Sequence, residues 1–90
     1  MVAMHRMVAE LPRVHKYAIG QRILQESIDI GAAAYRVGME KEIDNNRQCI
    51  LEKIEIVRLF LRMLRDIHVL SLKYFSSLNV QLEALYTAQY

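Results

Sequence analysis

The stretch IEIVRLFLRMLRDIHVL, residues 54–70, leaves little freedom in what the chain can fold into. At about 100° per residue, Glu55, Arg58, Arg62, Arg65 and Asp66 share an arc about 100° wide. The rest is almost wholly apolar, with Ile54, Ile56, Val57, Leu59, Phe60, Leu61, Met63, Leu64, Ile67, Val69 and Leu70 filling an arc of about 220°. A surface helix of a bundle needs a far narrower stripe. This helix therefore sits centrally in its fold or meets another subunit. An isolated subunit is expected to leave Ile56, Leu59, Met63 or Ile67 exposed, and self-association follows.

The remainder agrees with an all-α chain. Only three residues of 90 are Gly and one is Pro, and runs alternating β-branched with polar residues are almost absent. The length allows one domain, residues 1–90. Four segments emerge: a short one over Val2 to Glu10 with a stripe of Met4, Met7, Val8 and Leu11; a second from about Tyr17 to Met39; a third from about Asn45 to Leu70; and a fourth after Ser71, a natural N-cap. Pro12 separates the first two, because its ring removes an amide donor and clashes with a preceding helical turn. The polar run EKEIDNN joins the second to the third. The expected architecture is a four-helix bundle with a short first helix, oligomeric in its assembly.

The second segment carries a line of small residues. Gly20, Ser27, Gly31, Ala34 and Gly38 fall within about 60° on the wheel. Each glycine costs a helix about 1 kcal/mol relative to Ala. The line is expected to let a neighbouring helix approach closely, with Ile23, Leu24, Ile28 and Tyr35 supplying bulk beside it. In the fourth segment, Phe75, Leu78, Leu82 and Leu85 form an ordinary core stripe.

Catalytic chemistry finds no foothold. His5, His15 and His68 are scattered, without a spacing that presents two ligands on one helix face. Glu40, Glu42 and Asp44 fall in a connector, where solvation explains them. No nucleophile elbow, P-loop or dinucleotide fingerprint occurs. No enzyme activity, catalytic residue, metal or cofactor is expected. The lone Cys49 excludes an internal disulfide and fits a reducing cytoplasm. MVAMHRMVAELP is too broken by charge for a signal-peptide core, and no apolar run is long enough for a membrane span.

Basic charge remains. The net charge of +2 and pI near 8.9 are modest, so distribution matters more than the sum. Arg13, His15 and Lys16 gather after Pro12, and Arg22 follows within two turns. Arg58, Arg62 and Arg65 form a row whose guanidinium groups are expected to point the same way. Either Glu55 and Asp66 answer the row as a salt-bridged face, or it contacts phosphate or an acidic protein surface through the guanidinium fork.

The segment LPRVHKYAIGQRI, residues 11–23, resembles the junction between the first two helices of the accessory variability determinant (Avd) proteins of diversity-generating retroelements. The resemblance continues through VRLFLRMLRDIHVLSLKYFSSL: Arg58 and Arg62 match an arginine pair on helix three, and Leu70, Ser71 and Lys73 match the turn into helix four. It spans roughly residues 10–84. It implies a four-helix bundle forming a ring-like homopentamer, which binds the retroelement's reverse transcriptase and helps it use template RNA for mutagenic cDNA synthesis. By that resemblance, the surface holding Arg58 and Arg62 is the one used for binding. The first helix is shorter here, and the family's Gly-Trp-containing end of helix four is replaced by YTAQY. The chain is also similar to the four-helix-bundle proteins encoded by intervening sequences of bacterial ribosomal RNA genes. Their Asn-Ile-Ala-Glu-Gly motif is absent, the corresponding residues reading GAAAYRVGMEK. That comparison leaves open a helical assembly module with no nucleic-acid role.

Overall fold

The computed structural model describes residues 2–89, and every regular element among them is helical. Helix α1 spans Val2–Ala9. Helix α2 is built of three contiguous stretches: Arg13–His15, a π-helical turn Lys16–Gly20, and Gln21–Gly38. Helix α3 is Ile43–Asp66 and α4 is Leu72–Thr87.

Pro12 does punctuate the chain, but more abruptly than its neighbours suggest. It is extended, with φ −54° and ψ 144°, and α2 begins at once with Arg13. The Pro12 carbonyl already accepts from the Lys16 amide at 2.9 Å. A start near Lys16 or Tyr17 is therefore too late, and Arg13, His15 and Lys16 are helical, not connector, residues. The ring that cannot lie inside a helix is well suited to entering one, since the first amides need no partner there.

Helices α2 and α3 end alike. Glu40 (φ 57°) and His68 (φ 63°) adopt the left-handed conformation just past each helix. The Lys41 amide then donates to the Arg36 carbonyl at 3.0 Å, and the Val69 amide to the Leu64 carbonyl at 3.1 Å. These bonds satisfy carbonyls that the helix end leaves open. Glycine usually fills such a site, because other residues are strained there by about 1–2 kcal/mol. Without that signal, the expected end of α3 near Leu70 overruns the real one at Asp66. Ser71 caps α4 as expected, its Oγ accepting from the Tyr74 amide at 3.2 Å.

Packing follows the wheel. Helices α2 and α3 form the main hairpin, α4 lies along α3, and α1 bridges α2 and α4. Ile50, Ile54, Val57, Leu61 and Leu64 of α3 are fully enclosed, facing Ile23, Ile30 and Ala33 of α2 and Leu78 and Leu82 of α4. Met4, Met7, Val8 and Leu11 close the end of this core, as their stripe implies. Burying a side chain of this size is worth roughly 1.5–3 kcal/mol. The central role of α3 comes directly from its width of apolar surface.

The small-residue line divides. Gly20 is buried, and a Cβ there would lie 2.9 Å from Val8 Cγ1. Ser27 is buried too, and its hydroxyl donates to the Ile23 carbonyl at 2.9 Å. Gly31, Ala34 and Gly38 are exposed, and a Cβ at Gly31 or Gly38 would meet nothing within 4 Å. Close approach is thus confined to the Gly20 end. The expectation of a helix packed along the whole line is corrected, because α1 is too short to reach further. Ile28 and Tyr35, expected as bulk beside a contact, are exposed as well.

Candidate functional site

The arginine row does not present three guanidinium groups to one surface. Arg58 turns toward α4 and binds Glu83, with Glu55 Oε1 at 3.2 Å and the Tyr86 ring centroid 5.5 Å from its Cζ. Its side chain is only 26% exposed, so it ties α3 to α4. Glu55 and Glu83 are both more than half exposed, which keeps each ion pair modest. Exposed pairs contribute about 0.2–1 kcal/mol. Arg62 is exposed and Arg65 half-buried, and neither forms an ion pair among the described residues. Of the two carboxylates that could answer the row, Glu55 meets Arg58, and Asp66 forms no ion pair among the described residues. Glu83, on another helix, was invisible to a wheel drawn for α3 alone.

Arg22 is also engaged internally. Its guanidinium reaches Glu26 at 3.7 Å and lies 5.8 Å from the Phe60 ring centroid. It borders a cluster that sequence reasoning missed. Glu26, on the core face of α2, has a side chain only 5% exposed and receives Lys53 Nζ at 2.9 Å. Asp29 meets the same ammonium at 3.3 Å. The hydrogen bond that Lys53 donates to Glu26 is the main cause that raises the Lys53 pKa above the usual lysine value, against partial desolvation. The available signal was Glu26 itself. A carboxylate between Ile23 and Ile30 on a core stripe requires a cation.

At the α2–α3 turn, Asn46 plays a comparable part. It accepts from Arg36 Nε at 2.9 Å and donates to the Lys41 and Glu42 carbonyls at 2.9 and 3.1 Å. These bonds hold the segment containing the left-handed Glu40 and Glu42.

Contacts between Arg36 and Asn46, Asp29 and Lys53, and Arg22 and Phe60 give α2 and α3 an antiparallel register. That register puts Lys16 level with the last turn of α3. Arg13 and Lys16 therefore share one end of the molecule with Arg62 and Arg65, and α4 starts there with Lys73. Glu10, Leu11, Val69, Leu70, Ser71 and Tyr74 line a depression of about 210 Å³ at this end. Arg13 stacks on Tyr17, 6.0 Å from its ring centroid. Among the described residues, Arg13, Lys16, Arg62, Arg65 and Lys73 form no ion pair with a carboxylate. Glu10, which lines the depression, and Asp66, the last residue of α3, are the acidic residues at this end. The opposite end, at the turn, carries Glu40, Glu42 and Asp44 together with Arg36, Lys41 and Arg47, so its charges balance.

Among the described residues no His, Cys, Asp and Glu side chains group so as to hold a metal ion, and Cys49 is a half-buried free thiol. No described helix is long and apolar enough to cross a membrane. The arrangement offers a basic end for an anionic surface and an uncovered apolar strip on α3, where Leu59 is 57%, Met63 41% and Ile67 46% exposed. No protein-family model, no curated protein and no solved structure matches the chain.

Proposed function

We propose that the chain is a non-enzymatic accessory subunit that assembles with copies of itself and presents its basic end to RNA and to an RNA-bound protein. Following the Avd resemblance, that protein is the reverse transcriptase of a diversity-generating retroelement, and the RNA is its template. The observation that carries the reading is the unanswered charge of Arg13, Lys16, Arg62, Arg65 and Lys73 at one end of the bundle. Cations left without carboxylates at close range repel one another and favour an anion that bridges them. Arg58 and Arg22 contribute less, since their guanidinium groups already have partners within the protein.

The test is a salt titration of binding to a fluorescent single-stranded RNA. Phosphate contacts release counterions, so log K should fall linearly with log salt, by about 0.7 per contact. Exchanging Lys16 and Arg65 together for Ala should flatten the slope by roughly one to two contacts and weaken binding about tenfold or more at low salt. The same change should leave melting nearly unaltered, because Lys16 and Arg65 form no ion pair among the described residues. Binding that is absent or indifferent to salt would leave a helical assembly module with no nucleic-acid role.

A further inference from the structure

We infer that the uncovered strip of α3 is the contact with a second copy of this chain, arranged as an antiparallel α3–α3 pair about a two-fold axis beside Leu59. The inference rests on the self-association proposed above and fixes its symmetry.

Ile56, Leu59, Met63 and Ile67 fall within about 80° on the helix wheel, on the side of α3 away from both α2 and α4. Leu59, Met63 and Ile67 are exposed in the protomer and Ile56 is half-buried. Glu55 and Arg62 border one edge of this strip. When two antiparallel helices face each other, that edge meets the same edge of the copy. A two-fold axis between positions 58 and 59 then sets Glu55 level with Arg62 of the copy, and Arg62 level with Glu55 of the copy.

The same axis interleaves the apolar side chains. Along α3, Ile56 of the copy falls between Leu59 and Met63, and Met63 of the copy falls just before Ile56. Leu59 lies next to Leu59 of the copy. Charges at the edge and apolar knobs in the seam thus agree on one register, as edge charges do in paired helices. Among the described residues Arg62 has no carboxylate partner, whereas the Glu55 side chain is 57% exposed and accepts a bond from Arg58. Both remain available to the copy. In this pairing Arg62 is taken up by the interface, leaving Arg13, Lys16, Arg65 and Lys73 for an anionic partner.

A head-to-tail ring such as the resemblance implies would instead join two different patches. Sedimentation and cross-linking separate the two arrangements. Leu59→Cys, in a Cys49→Ala background, should cross-link to its own copy under mild oxidation, because only a residue near the axis meets itself. Glu55→Arg and Arg62→Glu should each weaken pairing about tenfold at low salt by setting like charges opposite each other twice. Combined in one chain they should restore pairing to within about twofold, with circular dichroism confirming the fold of each variant. A chain that stays monomeric at high micromolar concentration overturns the inference. Cross-linking of Leu59→Cys only to a cysteine placed at Tyr35 of another copy also overturns it, in favour of a head-to-tail contact. Loss of the salt-dependent RNA binding described above would leave this pairing standing, and the reverse also holds.

Discussion

Gly20 and Gly31 lie on the same side of one helix, yet their surroundings are opposite. A Cβ at Gly20 would press on Val8 at 2.9 Å and on Leu11 at 3.4 Å, whereas one at Gly31 would touch nothing within 4 Å. The difference comes from α1, whose eight residues extend only about 12 Å and cover the Gly20 end alone. Small residues in line permit close approach, but they do not supply the neighbour. The same residue type is a packing requirement at one site and a helix-propensity cost at the other.

The largest effect should come from filling the closed end. Gly20→Leu should destabilise the protein by about 3 kcal/mol, since Val8 and Leu11, both buried, would have to shift to admit the side chain. Thermal unfolding at the parental temperature would show that α1 does not pack against Gly20. A smaller and more specific effect joins the two helices. Gly20→Ala should cost about 1–2 kcal/mol in the parent and distinctly less in a Val8→Ala background, which removes the opposing methyl groups. Additive losses in a double-mutant cycle would place the clash elsewhere.

The open end should respond with the reverse sign. Gly31→Ala should stabilise the protein by about 0.5–1 kcal/mol, because it restores helix propensity without meeting any atom. Gly31→Leu should likewise be tolerated, replacing the loss that a fully packed line predicts. Destabilisation by either, or a weaker oligomer, would mean that another copy covers this end of the line.

The smallest effect lies on the other flank of the α2–α3 hairpin, where Glu26 and Asp29 hold Lys53. The sign follows from the raised folded-state pKa of Lys53. Its contribution to stability is fully present below the ordinary lysine value of 10.5 and is lost as pH rises through the higher folded value. Alkaline titration of stability should therefore show a modest decline beginning above pH 10.5 that Lys53→Met lacks. An equal decline in that variant would assign it to other groups.

Individual elements show how far a sequence can be read here. The stripes Met4–Met7–Val8–Leu11 and Phe75–Leu78–Leu82–Leu85 pointed inward because helical period alone decides which side chains share a face. The excess apolar width of α3 was equally legible, and it anticipated the exposed Leu59, Met63 and Ile67. Helix ends were less so: Glu40 and His68 take a conformation usually given to glycine, so residue type did not mark the stops. The six basic candidates, Arg13, Lys16, Arg22, Arg58, Arg62 and Arg65, were found by type and spacing. Their division into engaged and unanswered groups depended on Glu26 and Phe60 for Arg22, and on Glu83 and Tyr86 for Arg58.

What the sequence determined by itself was the all-helical class, the α4 cap at Ser71, the break at Pro12 and the inward stripes of α1 and α4, since each follows from neighbours within a few residues. The tertiary structure decided the reach of α1 along α2, the burial of Arg58 against α4, and the pairing of Glu26 with Lys53. It also gathered Arg13 and Lys16 at the end occupied by Arg62 and Arg65. Apart from the contact of α1 with Gly20, which spans a shorter separation, these depend on groups about 25 to 50 positions apart, whose distances are set by how helices pack and not by the period of any one of them.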